Sequence, residues 1–139
     1  MPIVNYPVSL PYRTIPRLNG LHPAAEVRLF NGHKDTIAVG ILDSGSPYTA
    51  FSPEYAGFIG IDDVTVGHLE DVSTLGGGIQ IYLFDLEIQL LKAGPRFAGQ
   101  IGFFAGHASR NILGRSVIFS AFEIGFHERG QVIYLRADT

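Results

Sequence analysis

Residues 36–42, Thr36-Ile37-Ala38-Val39-Gly40-Ile41-Leu42, form a β-rich apolar run that reads as a buried strand and so commits the chain to a sheet with a covered face. The run ends on Asp43-Ser44-Gly45, with Ser46-Pro47-Tyr48-Thr49 beyond it. An acid at the end of such a strand sits near the core, where burial disfavours ionisation. A second carboxylate nearby disfavours it further, and a pair of such acids can share one proton and divide into a general acid and a general base. Ser44 and Gly45 suit that use, because a small hydroxyl can hold a loop by hydrogen bonds and glycine lets backbone approach a carboxylate. The same three residues also make an ordinary turn after a strand, since Asp, Ser and Gly are all turn formers.

The remaining pattern is also β. Residues 25–30 read as a strand, Asn31-Gly32-His33-Lys34 as a turn, and residues 36–42 as the hairpin partner that leads into Asp43. Residues 62–73 and 79–91 are strand-like, most clearly in the alternation of residues 79–88. Between them, Thr74-Leu75-Gly76-Gly77-Gly78 reads either as a mobile hairpin tip that closes over a ligand or as a plain loose turn. A phosphate cradle is disfavoured there, because the glycines lead into a strand and not into a helix. Ser52-Pro53-Glu54-Tyr55-Ala56 predicts a short helical turn with serine as N-cap. Residues 100–105 read as a strand, residues 116–122 as a short helix after Asn111-Ile112-Leu113-Gly114-Arg115, and residues 123–136 as a final hairpin. Pro2, Pro7, Pro11 and Pro16 make residues 1–24 an extended arm of polyproline or edge-strand character, followed by a single domain over residues 25–139.

Composition removes several function classes. With 139 residues, 46% of them hydrophobic and 17% charged, the chain suits one globular domain. A net charge of -3, with 10 scattered Lys and Arg residues, argues against nucleic acid as a partner. The absence of cysteine excludes disulfides, thiolate catalysis and cysteine zinc sites. The histidines at 22, 33, 68, 107 and 127 have no metal-ligand spacing and read as solvated loop residues, and no Gly-x-Ser-x-Gly elbow is present. Without an apolar stretch of signal-peptide or membrane-spanning length, a soluble, cytoplasmic protein with no membrane partner is expected.

Taken in order, a hairpin into Leu42-Asp43-Ser44-Gly45-Ser46 with Thr49 just beyond, glycines at a hairpin tip, and Ile112-Leu113-Gly114-Arg115 before a last hairpin, the chain resembles the retropepsin-like aspartic proteases, the single-lobe relatives of pepsin. The resemblance covers residues 25–135 and implies an all-β, closed-barrel acid-protease lobe with one short C-terminal helix and a flap hairpin. It implies that Asp43 is the catalytic acid, that Ser44 braces the two active-site loops across a pair, and that Gly45, Ser46 and Thr49 support the loop. Leu75, Gly76, Gly77, Gly78 and Ile79 become the substrate-covering flap. Ile112, Leu113 and Gly114 become a structural element packed beneath the active-site loop, with Arg115 as a structural pairing residue.

The mechanism so implied needs two aspartates and no metal or cofactor, whereas the chain has one Asp-Ser-Gly; Asp35, Asp62, Asp63, Asp71, Asp85 and Asp138 lack that setting. A homodimer with Asp43 from each subunit facing its copy supplies the pair, with a peptide or protein as substrate. Two positions depart from the family pattern: Pro47 stiffens the loop, and Ser116 stands where an acidic residue often follows Gly-Arg, which removes an ion pair with Arg115. A peptide-binding or dimerisation module without efficient catalysis, and an unrelated barrel in which Asp43 is a turn residue, are the other readings.

Overall fold

A computed structural model of the protein describes residues 5–74 and 76–138. It is 57% strand and 11% helix, an all-β chain. The strands in order are β1 (Val8–Pro11), β2 (Arg13–Ile15), β3 (Leu18–His22), β4 (Ala24–Asn31), β5 (Lys34–Leu42), β6 (Ala50–Phe51), β7 (His68–Thr74), β8 (Gly77–Leu90), β9 (Arg96–Phe104), β10 (Asn111–Leu113), β11 (Phe122–His127) and β12 (Val132–Ala137). One short helix, α1 (Glu54–Phe58), follows β6.

The main sheet runs β4-β5-β10-β6-β9-β8-β7, and β4 pairs with β8 as well, so the strands from β4 to β8 close into a ring with β7 outside it. The β4–β5 hairpin turns at Gly32-His33, with Asn31 paired to Lys34 and glycine at a φ of 60°, the left-handed conformation that the turn demands. β10 is inserted between β5, to which it is parallel, and β6, to which it is antiparallel.

Alternation along the strands fills the ring. Val27 and Leu29 of β4, Ile88 and Leu90 of β8, and Ile101 and Phe103 of β9 are fully or almost fully buried and form one core. The second sheet, β1-β12-β11, covers that core from the side, contributing Ile133 and Leu135. Residues 8–22 form three short strands: β1 on the edge of the second sheet, and the β2–β3 hairpin with Ile15 buried. A smaller apolar cluster, Ala50, Ile81 and Leu83 with Tyr48, Val72 and Phe104 packed against it, lies where the β7–β8 hairpin meets β6.

Two segments differ from the sequence expectation. Residues 116–122 do not form a regular helix. The turn at Arg115–Phe119 is broken by Ser116, which is extended, and by Val117 at a φ of 67°, and β11 begins at Phe122. A short apolar run has no period of its own, and the β-branched Val117 and Ile118 are buried here by the sheets they pack on. Residues 62–73 are not one strand. Asp63 takes the Thr65 N–H and hydroxyl on one carboxylate oxygen, at 3.0 and 2.6 Å, and holds a 3-10 turn at Val64–Val66 before β7 starts.

Candidate active site

The β5–β10 pairing carries Asp43 to its position. Gly40, Ile41 and Leu42 lie opposite Asn111, Ile112 and Leu113, and the Asp43 N–H extends the ladder by donating to the Leu113 carbonyl at 2.9 Å. The chain then turns sharply: the Gly45 N–H donates to Asp43 Oδ1 at 2.9 Å, and the Ser46 N–H donates to the Asp43 carbonyl at 3.1 Å. Asp43 is half-buried, while Ser44 and Gly45 are exposed. One carboxylate oxygen is thus fixed by the loop. The other, Oδ2, has no hydrogen-bond partner among the described residues.

Beneath the loop, Thr49 is fully buried, and its N–H and hydroxyl take part in three hydrogen bonds. Its N–H donates to Ser116 Oγ at 2.9 Å, its hydroxyl donates to the Ser116 carbonyl at 2.7 Å, and the same hydroxyl oxygen accepts the Gly114 N–H at 3.0 Å. The Arg115 N–H donates to the Ser46 carbonyl at 2.8 Å and the Ser116 N–H to the Pro47 carbonyl at 3.1 Å, while the Ser46 hydroxyl donates to the Tyr48 carbonyl at 2.7 Å. Gly114 permits this approach: a Cβ there would collide with the backbone of Tyr48 and Ser46. The structure therefore brings together Asp43, Gly45, Ser46, Thr49, Ile112, Leu113 and Gly114. Arg115 joins them through its backbone alone, and its side chain is exposed with no ion pair among the described residues. The Ser44 side chain makes no hydrogen bond there either.

Of the glycine-tip residues, Leu75 lies outside the described residues. Thr74 and Gly77 are the last pair of the β7–β8 hairpin, and a Cβ at Gly76 or Gly78 would meet nothing within 4 Å. Ile79 pairs with Val72 and is 40% exposed; two residues on, Ile81 is buried against Ala50. By strand alternation Ile79 and Ile81 share a face, so the hairpin is anchored at its base on residues just beyond the Asp43 loop and bare at its tip.

Sequence reasoning missed a polar cluster behind β6. Ser52, 3% exposed, donates its hydroxyl to Glu54 Oε2 and accepts the Ala108 N–H at 3.0 Å, while His107 Nδ1 lies 2.6 Å from Glu54 Oε1. The Ser52 hydroxyl, and after it His107, hold the Glu54 carboxyl below the ordinary glutamate range against the opposing effect of burial. Ser52 does not cap α1, whose first flanking residue is Pro53. Its proton goes straight to a carboxylate, with the imidazole Nδ1 3.4 Å away, so this is a tether between α1 and the loop before β10 and not a nucleophile with its base. The sole sequence signal was Ser52-Pro53-Glu54 at a helix start; a histidine 53 residues after Glu54 gave none. Of the other carboxylates, Asp35 pairs with Arg28 at 2.8 Å and Asp63 serves its turn. Among the described residues no group of three or more His, Cys, Asp or Glu side chains converges on a metal-sized site. No helix there is long and apolar enough to cross a membrane.

Comparison with known proteins gives no matching family model and no matching curated relative.

Proposed function

We propose that the chain is one subunit of a homodimeric aspartic endopeptidase of the retropepsin-like class. The observation that carries this reading is the locking of the Asp43 loop onto residues 112–116. A half-buried carboxylate stands at the end of a core strand, on a loop held from beneath by Thr49, Gly114 and Ser116, with Ser44 and Gly45 open to solvent. Such rigidity in a surface loop is what a positioned acid-base group requires. The glycine-tipped hairpin rooted beside it supplies a cover for an extended peptide.

In the dimer, Asp43 and the same residue of a second copy face each other and share one proton, since two like charges at that separation do not both ionise. The ionised carboxylate takes a proton from water as the water oxygen bonds to the scissile carbonyl carbon. The protonated carboxyl gives its proton to the carbonyl oxygen. Collapse of the resulting gem-diol breaks the C–N bond, with a proton delivered to the departing amine. Tyr48, Val72 and Phe104, only partly buried where they pack on the apolar cluster at the hairpin base, offer substrate an apolar surface.

The test is peptide-library digestion by wild type and Asp43→Asn, with sedimentation of both. Cleavage abolished in a folded, dimeric variant is the expected result. A strict monomer at high concentration, or undiminished cleavage by the variant, overturns the proposal. Saturable peptide binding by a dimer that never cleaves moves the chain to the second reading, a binding module, which the unbonded side chains of Ser44 and Arg115 favour.

A further inference from the structure

The outward face of β5 carries a second site, about four residues before Asp43 and so roughly 13 Å along the strand from it. Ala38 and Leu42 point into the core, so Ile37 and Val39 point the other way. There the β2–β3 hairpin, Tyr55 of α1 and the loop of residues 107–111 line an open cleft of about 420 Å³. Pockets for small organic ligands span ~300–1,000 Å³. Its walls are apolar, built from Ile15, Ile37, Val39 and Tyr55. Ile37 is 46% exposed, a large side chain left uncovered in the middle of a strand.

The polar residues of the lining are Arg17, Glu26, His107, Ser109, Arg110 and Asn111, two of them arginines. Arg17 and Arg110, brought together from opposite ends of the sequence, both line it, and neither has a hydrogen bond or ion pair among the described residues. Arg17 is held at a φ of 71°, a conformation uncommon outside glycine. The one acid in the lining, Glu26, is already taken by Arg13 Nη1 at 2.8 Å, and His107 is engaged by Glu54. Two exposed arginines without an ion pair among the described residues therefore border a largely apolar cleft in a protein whose net charge is -3. Guanidinium presents a planar fork that matches a carboxylate.

We propose that this cleft binds a monocarboxylate with an apolar body, the carboxylate held between Arg17 and Arg110 and the body against Ile37, Val39 and Tyr55. Free organic acids and the C-terminus of a peptide ending in an apolar residue share that chemistry. The site needs neither a second subunit nor Asp43.

Amide chemical-shift titration of the full chain tests it, with 4-phenylbutyrate, 4-phenylbutan-1-ol, and N-acetyl-Ala-Ala-Phe as the free acid and as the amide. Saturable shifts at Val39, Tyr55 and Ala108 with at least one of the two acids are expected, with weaker binding of the matching alcohol or amide. Arg17→Gln or Arg110→Gln should each weaken the acid about tenfold, as loss of a charge-assisted pair does, with thermal midpoints unchanged. Added salt should weaken it too. Response to phenylbutyrate alone identifies a free acid as the ligand, and response to the peptide acid alone identifies a C-terminus. No saturable shift with either acid, equal binding of the uncharged partner, or unaltered affinity in a variant carrying both Arg17→Gln and Arg110→Gln overturns the proposal.

Discussion

The Asp43 loop and the tip of the β7–β8 hairpin are both short connections at strand ends, yet their construction is opposite. Around the loop, Thr49 is buried with both its N–H and its hydroxyl bonded, and Gly114 lies so close to the Tyr48 backbone that no side chain fits. At the tip, Gly76 and Gly78 have open space around them. Glycine serves close approach in one place and freedom of the backbone in the other. The proposed protease would use both, and the structure keeps the two apart: rigidity beneath the carboxylate, open glycine backbone at the hairpin tip.

The contrast can be broken at its strongest point by Gly114→Ala. The new methyl meets the Tyr48 and Ser46 carbonyls, which the Ser46 hydroxyl and the Arg115 N–H already hold in place, so a loss of about 3 kcal/mol in denaturant unfolding is expected. A change near zero would show that the loop is not locked. Thr49→Val keeps the shape and removes the hydroxyl, leaving the Gly114 N–H and the Ser116 carbonyl without that partner; it should cost about 2 kcal/mol, with Thr49→Ser recovering most of it.

Behind the loop, the Glu54 tether adds a smaller, pH-dependent increment. Its carboxyl titrates below the ordinary value in the folded protein, so its stabilisation is complete above the unfolded-state value of 4.5 and is lost as pH falls through the lower folded-state value. The group is half exposed, which limits the effect to under ~1 kcal/mol. Glu54→Gln should narrow its deficit relative to wild type as acid is added, and a constant difference across that range would count against the tether. The smallest stability effect belongs to Gly78→Ala, within about 0.5 kcal/mol, because the methyl meets nothing. If the tip must move for turnover, the same change lowers kcat in the proposed protease while the melting temperature stays put.

The same contrast separates what the sequence revealed from what it hid. Strands with a buried face, such as β4, β5 and β8, were legible because alternation and the Asn31-Gly32-His33-Lys34 turn fix their register locally. The loop motif was legible as residue types: Asp43, Thr49 and Gly114 stand out in order along the chain. What they do to one another was not, since the Thr49–Ser116 bonds join residues 67 apart. The irregular turn around Val117 was misread as helix for the same kind of reason: Gly99 leaves the room into which the Val117 side chain packs, and that neighbour comes from another strand. His107 does lie in a loop with its side chain 60% exposed, but its bond to Glu54, 53 residues earlier, left no local signal.

The insertion of β10 between β5 and β6 has a bearing on how the chain reaches this state. β5 and β6 are consecutive, joined only by residues 43–49, but the place between them is filled by a strand made much later. During synthesis, residues 34–51 must emerge and wait, with one edge of β5 unsatisfied, until residue 113 has left the ribosome. Long-range pairing of this kind slows folding relative to local hairpins, so the half-built barrel is the form most exposed to association with other chains. The seam that positions Asp43 is thus also the last part of the ring to be sealed.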